Sequence, residues 1–501
     1  MRQPTVAIVG AGFSGSLLSL CLQSLAPANT RIWLIERTHR VGSGTAYGSA
    51  DPCHLLNVPA GNMGAFPDRP RDFLHWLRGR SAAELDGIVP TESAFVPRRL
   101  YGAYLAQLLD DGLHNPGAAR LEVLRDEVID IEEGADRITL HLASGDTLAA
   151  DVAVLATGNP PPRPPHPEML NLEARGLWRA DPWSPTAFAE LDADASVLLI
   201  GTGLTMVDAV CSLSDRGHRG PIHALSRHGL LPRGHALRPL PALPIPLPIP
   251  TRLNALMRFV RCEIERSIAD GHGWQPVIDS LRPLTQDLWR GMSLADRKRF
   301  LRHVRPWWDV HRHRMPPNVA ECVDQALANG KLRIHRGHVI GVASQDTQAT
   351  IVFRQSQSST PLEIQAQRVV NCTGPATNVA CSSDPLMFAL LQTGIARPDP
   401  LHLGLDSTAE GAVVGRYGIP SQRLFAIGPP TKAAAWEITA VPDIRRQCRD
   451  LAETVRDRLG RRDAPPFRVT GAAFGAAGVQ GRPPATALPE TDSACLGYLG
   501  E

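Results

Sequence analysis

The sequence predicts an α/β fold of two similar strand–turn–helix units, the second inserted into the first and carrying a helical insertion of its own. Three observations predict it. A glycine turn follows an apolar strand at the N-terminus, and a second does so near residue 200. Each is followed by a later apolar strand ending in Thr-Gly. A chain of 501 residues is also too long for one compact core.

In the first unit, Thr5 to Val9 form a short apolar, β-branched run that leads into Gly10-Ala11-Gly12-Phe13-Ser14-Gly15 and a helical stretch from Ser16 to Leu25. A second strand, Arg31 to Ile35, ends at Glu36, followed by Arg37. The acid follows the last glycine by roughly 20 residues, the spacing of a Rossmann-like dinucleotide-binding turn. Gly10 permits the tight turn, Gly12 lets the backbone approach a pyrophosphate, Gly15 lets helix and strand pack closely, and Glu36 suits the ribose hydroxyls.

The pattern recurs at Ser196 to Ile200, followed by Gly201-Thr202-Gly203 and a helix-like segment from Leu204 to Leu213. The next strand, Pro221 to Leu225, ends in Ser226-Arg227-His228 in place of an acid. A cation there suits a ribose bearing a 2′-phosphate, which favours NADPH over NADH. Met206 stands where a small third residue is usual, so helix and strand must pack differently here.

The Thr-Gly strands run from Asp151 to Gly158 and from Arg368 to Gly374, and place Thr157, Gly158, Thr373 and Gly374 at the two nucleotide sites. Prolines follow both and suit crossovers between units. The expected organisation is a first FAD-type part at 1–165, an NAD(P)H-type unit at 166–375 with a helical insertion at 231–330, a second FAD-type part at 376–462, and a poorly ordered tail at 463–501.

This order of glycine turns and Thr-Gly strands resembles flavin-containing monooxygenases and the N-hydroxylating amine and amino-acid monooxygenases, over most of residues 1 to 460. The segment His54 to Asp68, with Asn57, Pro59, Met63 and Phe66-Pro67-Asp68, resembles the flavin-facing segment of the former. The resemblance implies that Asn57 lies beside the flavin ring, where its amide can hydrogen-bond the isoalloxazine, and makes Asn57 the first catalytic candidate. The whole chain more closely resembles a bacterial group of FAD/NAD(P)-binding proteins with blocks at Val41 to Gly48, Leu55 to Gly61, Trp308 to Met315 and Trp436 to Pro442.

The FAD set implied in this way is Gly10, Gly12, Phe13, Ser14, Gly15, Glu36, Arg37, Asn57, Pro59, Met63, Arg98, Val128, Thr157, Gly158, Gly428 and Trp436. Arg98 or Arg99 is expected at the pyrophosphate. A strand at Leu424 to Ile427 reaches Gly428, and a helix is expected from about Trp436, its N-terminus facing the flavin pyrimidine. Many flavoproteins carry Gly-Asp where this chain has Gly428-Pro429, so the carboxylate that meets the ribityl chain in those proteins is replaced here.

Several classes of function fall away. A net charge of +2 offers no basic field for nucleic acid, and no run reaches the length of a membrane span. Nine scattered cysteines include no C-x-x-C pair, which argues against a disulfide reductase and for a reducing, cytoplasmic setting. No signal peptide is read at the N-terminus. His311 and His313 lack the spacing of two metal ligands on one helix face, and no metal site is expected. The run Leu240 to Pro250 reads as a polyproline-type linker. The basic, aromatic stretch from Arg302 to Arg314 suits either a solvated helix or a dock for a carboxylate or the NADPH phosphate.

Three functions stay open at this point. One is an NADPH-dependent FAD monooxygenase that activates O2 as a flavin C4a-hydroperoxide and oxygenates a small nucleophilic substrate such as an amine or amino acid. A second is an FAD-dependent NAD(P)H dehydrogenase or reductase without oxygen insertion. The third is a non-catalytic FAD-binding redox sensor. The missing acid/base triad counts against none of them, because a flavin carries its own chemistry.

Overall fold

The computed structural model describes residues 2–460 apart from 50, 116–118, 239 and 357. The tail expected at 463–501 lies outside the described residues.

Two parallel sheets organise the chain. The first has six strands in the order Ala412–Val414, Pro420–Ala426, Val152–Leu155, Thr5–Val9, Arg31–Ile35 and Arg120–Leu124. Every pairing is parallel except that of the Ala412–Val414 edge. Alternate residues face two cores, as the period of a strand requires. Val6, Ile8, Ile32 and Val154 pack under the helices Phe13–Leu25, Arg98–Leu113 and Val441–Gly460. Ala7, Val9, Ile35 and Leu155 pack under a three-stranded antiparallel sheet, Val128–Glu133, Ile138–Leu142 and Thr147–Ala150, together with the helix Pro385–Thr393.

The second sheet repeats the plan with five parallel strands in the order Leu332–Arg336, Ile222–Ser226, Val197–Ile200, Arg368–Asn371 and Trp178–Arg179. One face packs on the helices Leu204–Asp215 and Pro317–Ala328. The other packs on antiparallel strands that bring Ile351, Phe353 and Ile364 against Leu198 and Val369. Met206 is fully buried in the helix-side core, filling the gap that a smaller residue would leave.

Between Ile222–Ser226 and Leu332–Arg336 the chain makes a helical excursion that opens with Leu253–Ala269, Gln275–Leu281 and Thr285–Gly291. Residues 240–250 before it form neither helix nor strand. Its core of Leu253, Leu256, Trp289, Met292 and Phe300 includes Leu403, Ala433 and Trp436 from the C-terminal part of the first unit. The excursion therefore packs across both units. Among the described residues no helix is long and apolar enough to cross a membrane.

One expected boundary is corrected. The last helix begins at Val441 and not near Trp436. Glu437 sits at φ +62°, outside helical space, so no helix runs through it. Pro442 then falls in the first helical turn, where its missing N–H leaves no bond unmade.

Candidate functional site

Both glycine turns have the same geometry. Gly10 and Gly201 lie at φ +104° and +114°, and a side chain on either would run into the carbonyl of a Thr-Gly strand, Ala156 for the first and Cys372 for the second. The two nucleotide turns are thus each pressed against their closing strand, with Thr157 and Thr373 exposed beside them. Gly12 and Gly203 are the N-caps of their helices, and neither helix has a side-chain cap. A methyl at Gly203 would meet nothing within 4 Å, and one at Gly12 would meet only the Gly44 Cα at 3.8 Å. Uncapped N–H groups at the end of a helix, beside a surface left open by glycine, are the donor set a pyrophosphate needs. Both cradles fit a dinucleotide.

At the first cradle, Glu36 Oε2 accepts the Ala11 N–H at 2.8 Å, and Oε1 accepts from the Thr38 N–H and hydroxyl. The carboxylate is thereby fixed at the strand end with lone pairs left for ribose hydroxyls. Arg37 bonds Glu127 and Asp384, and Val128 is buried at the start of the next strand. Phe13 is buried edge-on to Tyr47, while Ser14 lies close to Gly428, where any side chain would strike the Ser14 hydroxyl. Gly428, at φ +71°, donates its N–H to Gln447 of the last helix at 2.9 Å. The structure adds Gly42 and Gly44, which the sequence reading did not single out. Gly42 N–H donates to Ala11 O at 2.8 Å, and Gly44 folds over Gly12. Their signal was the glycine-rich Val41 to Gly48 block.

At the second cradle, Thr202 is buried, donating to Leu230 O and bonding Ser226 Oγ at 2.8 Å. Ser226 pairs in register with Arg336 of the neighbouring strand. Exposed Arg227 and Arg336 together depress the basicity of His228, after burial, so both stand near it. A pair of guanidiniums at the end of these strands suits a phosphate better than the lone Arg227 did.

Asn57 lies on a segment tied along its length to residues 92–98. Leu56 N–H donates to Val96 O, Ala60 to Ala94 O and Arg98 to His54 O, all within 2.9 Å. Pro59 and Met63 flank it, the latter buried. Its backbone carbonyl accepts from His235 Nε2 at 3.1 Å, joining it to the chain that leaves the second unit. Its half-buried side-chain amide has no hydrogen-bond partner among the described residues, and is free for a ligand.

Arg98 and Arg99 are otherwise engaged. Arg99 pairs with Asp86. Arg98 donates to Leu55 O and pairs at 2.8 Å with Asp208, on the helix that the second glycine turn starts. Four residues on, Ser212 donates to Asp51 at 2.7 Å and accepts from His54 Nε2 at 2.8 Å, while Ser49 donates to His54 Nδ1. Three polar contacts, at Asp208 and Ser212, thus fasten the helix Leu204–Asp215 to the first unit. Cys53 joins Asp51 and His54 to bring three ligand-type atoms within 4.8 Å of one another, but the Ser212 hydroxyl bonds two of them and lies 3.6 Å from the Cys53 sulfur. Burial pushes that thiol's pKa up. The Ser212 hydroxyl, set among these three side chains, latches the helix Leu204–Asp215 to the first unit.

The Trp308 to Met315 and Trp436 to Pro442 blocks meet. Trp308 Nε1 and Arg312 both bond Glu437, the pair with Arg312 being buried, which holds Glu437 in its left-handed conformation. Trp436 stacks on Trp289 at 4.7 Å, inside the core of the excursion. Lys432 lies over the Trp436 ring, and burial lowers its pKa to about 8.

A comparison of the sequence with curated proteins finds no match. Residues 7–160 match the model of the FAD-NAD(P)-binding family. Among solved structures, the chain is similar to the ornithine hydroxylase of Pseudomonas aeruginosa at TM-score 0.62 and 13% identity, over 91% of this chain and 99% of that one. It is also similar to the ornithine N-hydroxylase of Kutzneria sp. 744, described with reduced FAD, NADP+ and L-ornithine. That likeness has TM-score 0.58 and 15% identity, over 92% and 100% of the two chains. A third likeness is to the thioredoxin reductase of Lactococcus lactis, at TM-score 0.50 and 11% identity, over 92% and 99%. The fold is that of the two-dinucleotide flavoproteins.

Proposed function

We propose that the chain is an NADPH-dependent FAD monooxygenase that oxygenates a small nucleophilic substrate, with Asn57 as the catalytic residue beside the flavin. The observation that carries this reading is the Asn57 amide, without a partner among the described residues, on a segment that backbone hydrogen bonds tie to residues 92–98 and His235 ties to the chain leaving the second unit. The first cradle, with Glu36, would hold FAD, and the second, with Ser226, Arg227 and Arg336, would hold NADPH. Bound FAD would supply hydride acceptance and the activation of dioxygen. The chain's part is to orient and to exclude water. Asn57 would offer its amide to the ring edge, and Arg98–Asp208 with Asp51–Ser212–His54 would hold the second unit at a fixed angle to the first. The similarity to N-hydroxylating enzymes supports a nitrogen nucleophile, an amine or amino acid.

The test is anaerobic reduction of the purified holoprotein with NADPH, followed by rapid mixing with oxygenated buffer, with and without candidate amines. A transient absorbance band belonging to neither oxidised nor reduced flavin, shortened by Asn57→Ala, is the expected result. Direct return to oxidised flavin under every condition would leave the dehydrogenase or reductase reading. No reduction by NADPH at all would remove Gly201, Gly203 and Arg227 as its site.

A further inference from the structure

The helical excursion, with Trp436, lines an open cavity of about 890 Å³, within the range of small-molecule sites. Its walls are apolar and aromatic, with Met257, Trp289, Phe300 and Trp308 among them, and Trp307 stands half-exposed at its edge. Among the described residues no Asp or Glu lines it. The charged residues on its wall are Arg258 and Arg261, one turn apart on the helix Leu253–Ala269. Both are exposed, and neither has an ion pair or hydrogen bond among the described residues.

The cavity lies against the segments that lead to the proposed flavin site. Trp436 is part of its wall, eight residues after Gly428, and Trp289 donates its Nε1–H to Ala433 O of the same loop at 2.8 Å. The buried Trp436 Nε1–H finds no acceptor among the described residues. On the other side, Ile278 and Leu281 belong to the helix Gln275–Leu281, and Gln275 accepts from the Ala236 N–H, one residue from the His235 that bonds Asn57.

An apolar chamber with unpaired guanidiniums and no carboxylate excludes a small dication and selects an anion with a long apolar body. We propose that this cavity binds the substrate, and that the substrate is an amphiphilic carboxylate whose apolar body lies among the tryptophans and whose anionic group meets Arg258 and Arg261. The word substrate rests on the monooxygenase reading; the binding does not. On that reading, an amino acid with a large apolar side chain fits better than a short diamine.

The tryptophans supply a readout that needs neither NADPH nor oxygen. The oxidised holoprotein is titrated below micellar concentrations with decanoate, decylamine and acetate while tryptophan emission is followed. Decanoate is expected to give a saturable change at least tenfold tighter than decylamine, with none from acetate. The variant Arg258→Glu/Arg261→Glu, altered only at exposed positions, is expected to weaken decanoate at least tenfold and to retain its flavin. Equal or tighter binding of decylamine, or unchanged decanoate affinity in the variant, would overturn the proposal. So would a chain ending at Gly460 that binds decanoate when the full chain does not, since the cavity would then belong to residues 461–501. Decanoate binding in a protein that never yields the transient band under oxygen would leave this site standing and remove the monooxygenase reading instead.

Discussion

Replacing Asp208 by leucine tests how firmly the two nucleotide units are joined. Arg98 and Asp208 meet at 2.8 Å with side chains only 17% and 10% exposed. Removing one partner of a buried ion pair costs about 3–5 kcal/mol, because the other charge is left desolvated. Arg98 keeps a second acceptor, Leu55 O at 3.2 Å, which places Asp208→Leu at the lower end, about 3 kcal/mol or roughly a hundredfold in the folding equilibrium. Arg98→Met leaves the carboxylate with only the Trp183 Nε1–H at 3.4 Å beside it, and should lose somewhat more. The double variant Arg98→Met/Asp208→Leu buries no unpaired charge, so it should lie within about 1 kcal/mol of the parent. Urea unfolding of the holoproteins, followed by tryptophan and flavin emission, measures all three. Additive losses in the double variant would refute the argument, since they would mean that the two side chains do not interact. The NADPH reduction rate should fall in the singles and recover in the double.

Four further outcomes are expected. Gly203→Ala should leave flavin content and melting temperature unchanged, because the methyl meets nothing, yet raise the KM for NADPH at least tenfold by obstructing the pyrophosphate. Gly10→Ala, at φ +104° and against Ala156 O, should instead lower stability by more than about 1 kcal/mol and reduce the flavin retained on purification. Arg227→Ser/Arg336→Ser should weaken NADPH by about 2 kcal/mol, some thirtyfold in KM, with little effect on NADH; equal effects on both cofactors would show that these arginines do not meet the 2′-phosphate. Burial holds the His313 imidazole down to about 4, so it is neutral in the folded protein at pH 7. The unfolded chain takes up that proton near 6.5, so the stability this group contributes is complete above 6.5 and declines as pH falls towards 4. Melting temperatures from pH 7 to 4 should fall less steeply in His313→Gln, and parallel slopes would contradict the assignment.

The parts of the fold that rest on local pattern were legible from the amino acids. The strands Thr5–Val9, Arg31–Ile35 and Val197–Ile200 stand within a residue of where the apolar runs put them, because strands buried on both faces read as continuous hydrophobic segments. Gly10 and Gly201 were legible because only glycine turns so sharply between strand and helix. What escaped depends on distant partners. Arg336 joins Arg227 only through the register of two strands more than a hundred residues apart. Arg98 pairs with a carboxylate from the other unit, and no spacing rule announces that. The helix expected at Trp436 starts later because Trp308 and Arg312, both on the excursion, hold Glu437 where helical backbone cannot go.

The strand Pro420–Ala426 pairs with Val152–Leu155, and the helix Val441–Gly460 closes the core over Phe13–Leu25. That arrangement sets an order of events during synthesis. The five strands of the inserted sheet have all been synthesised once the ribosome passes residue 371, while the N-terminal sheet still lacks its last two strands and its covering helix. Until Pro420–Ala426 arrives, the edge at Val152–Leu155, buried in the finished protein, is open to any other strand. The inserted unit should therefore be the first to fold, and capture of the cofactor by the N-terminal cradle should follow translation of nearly the whole chain.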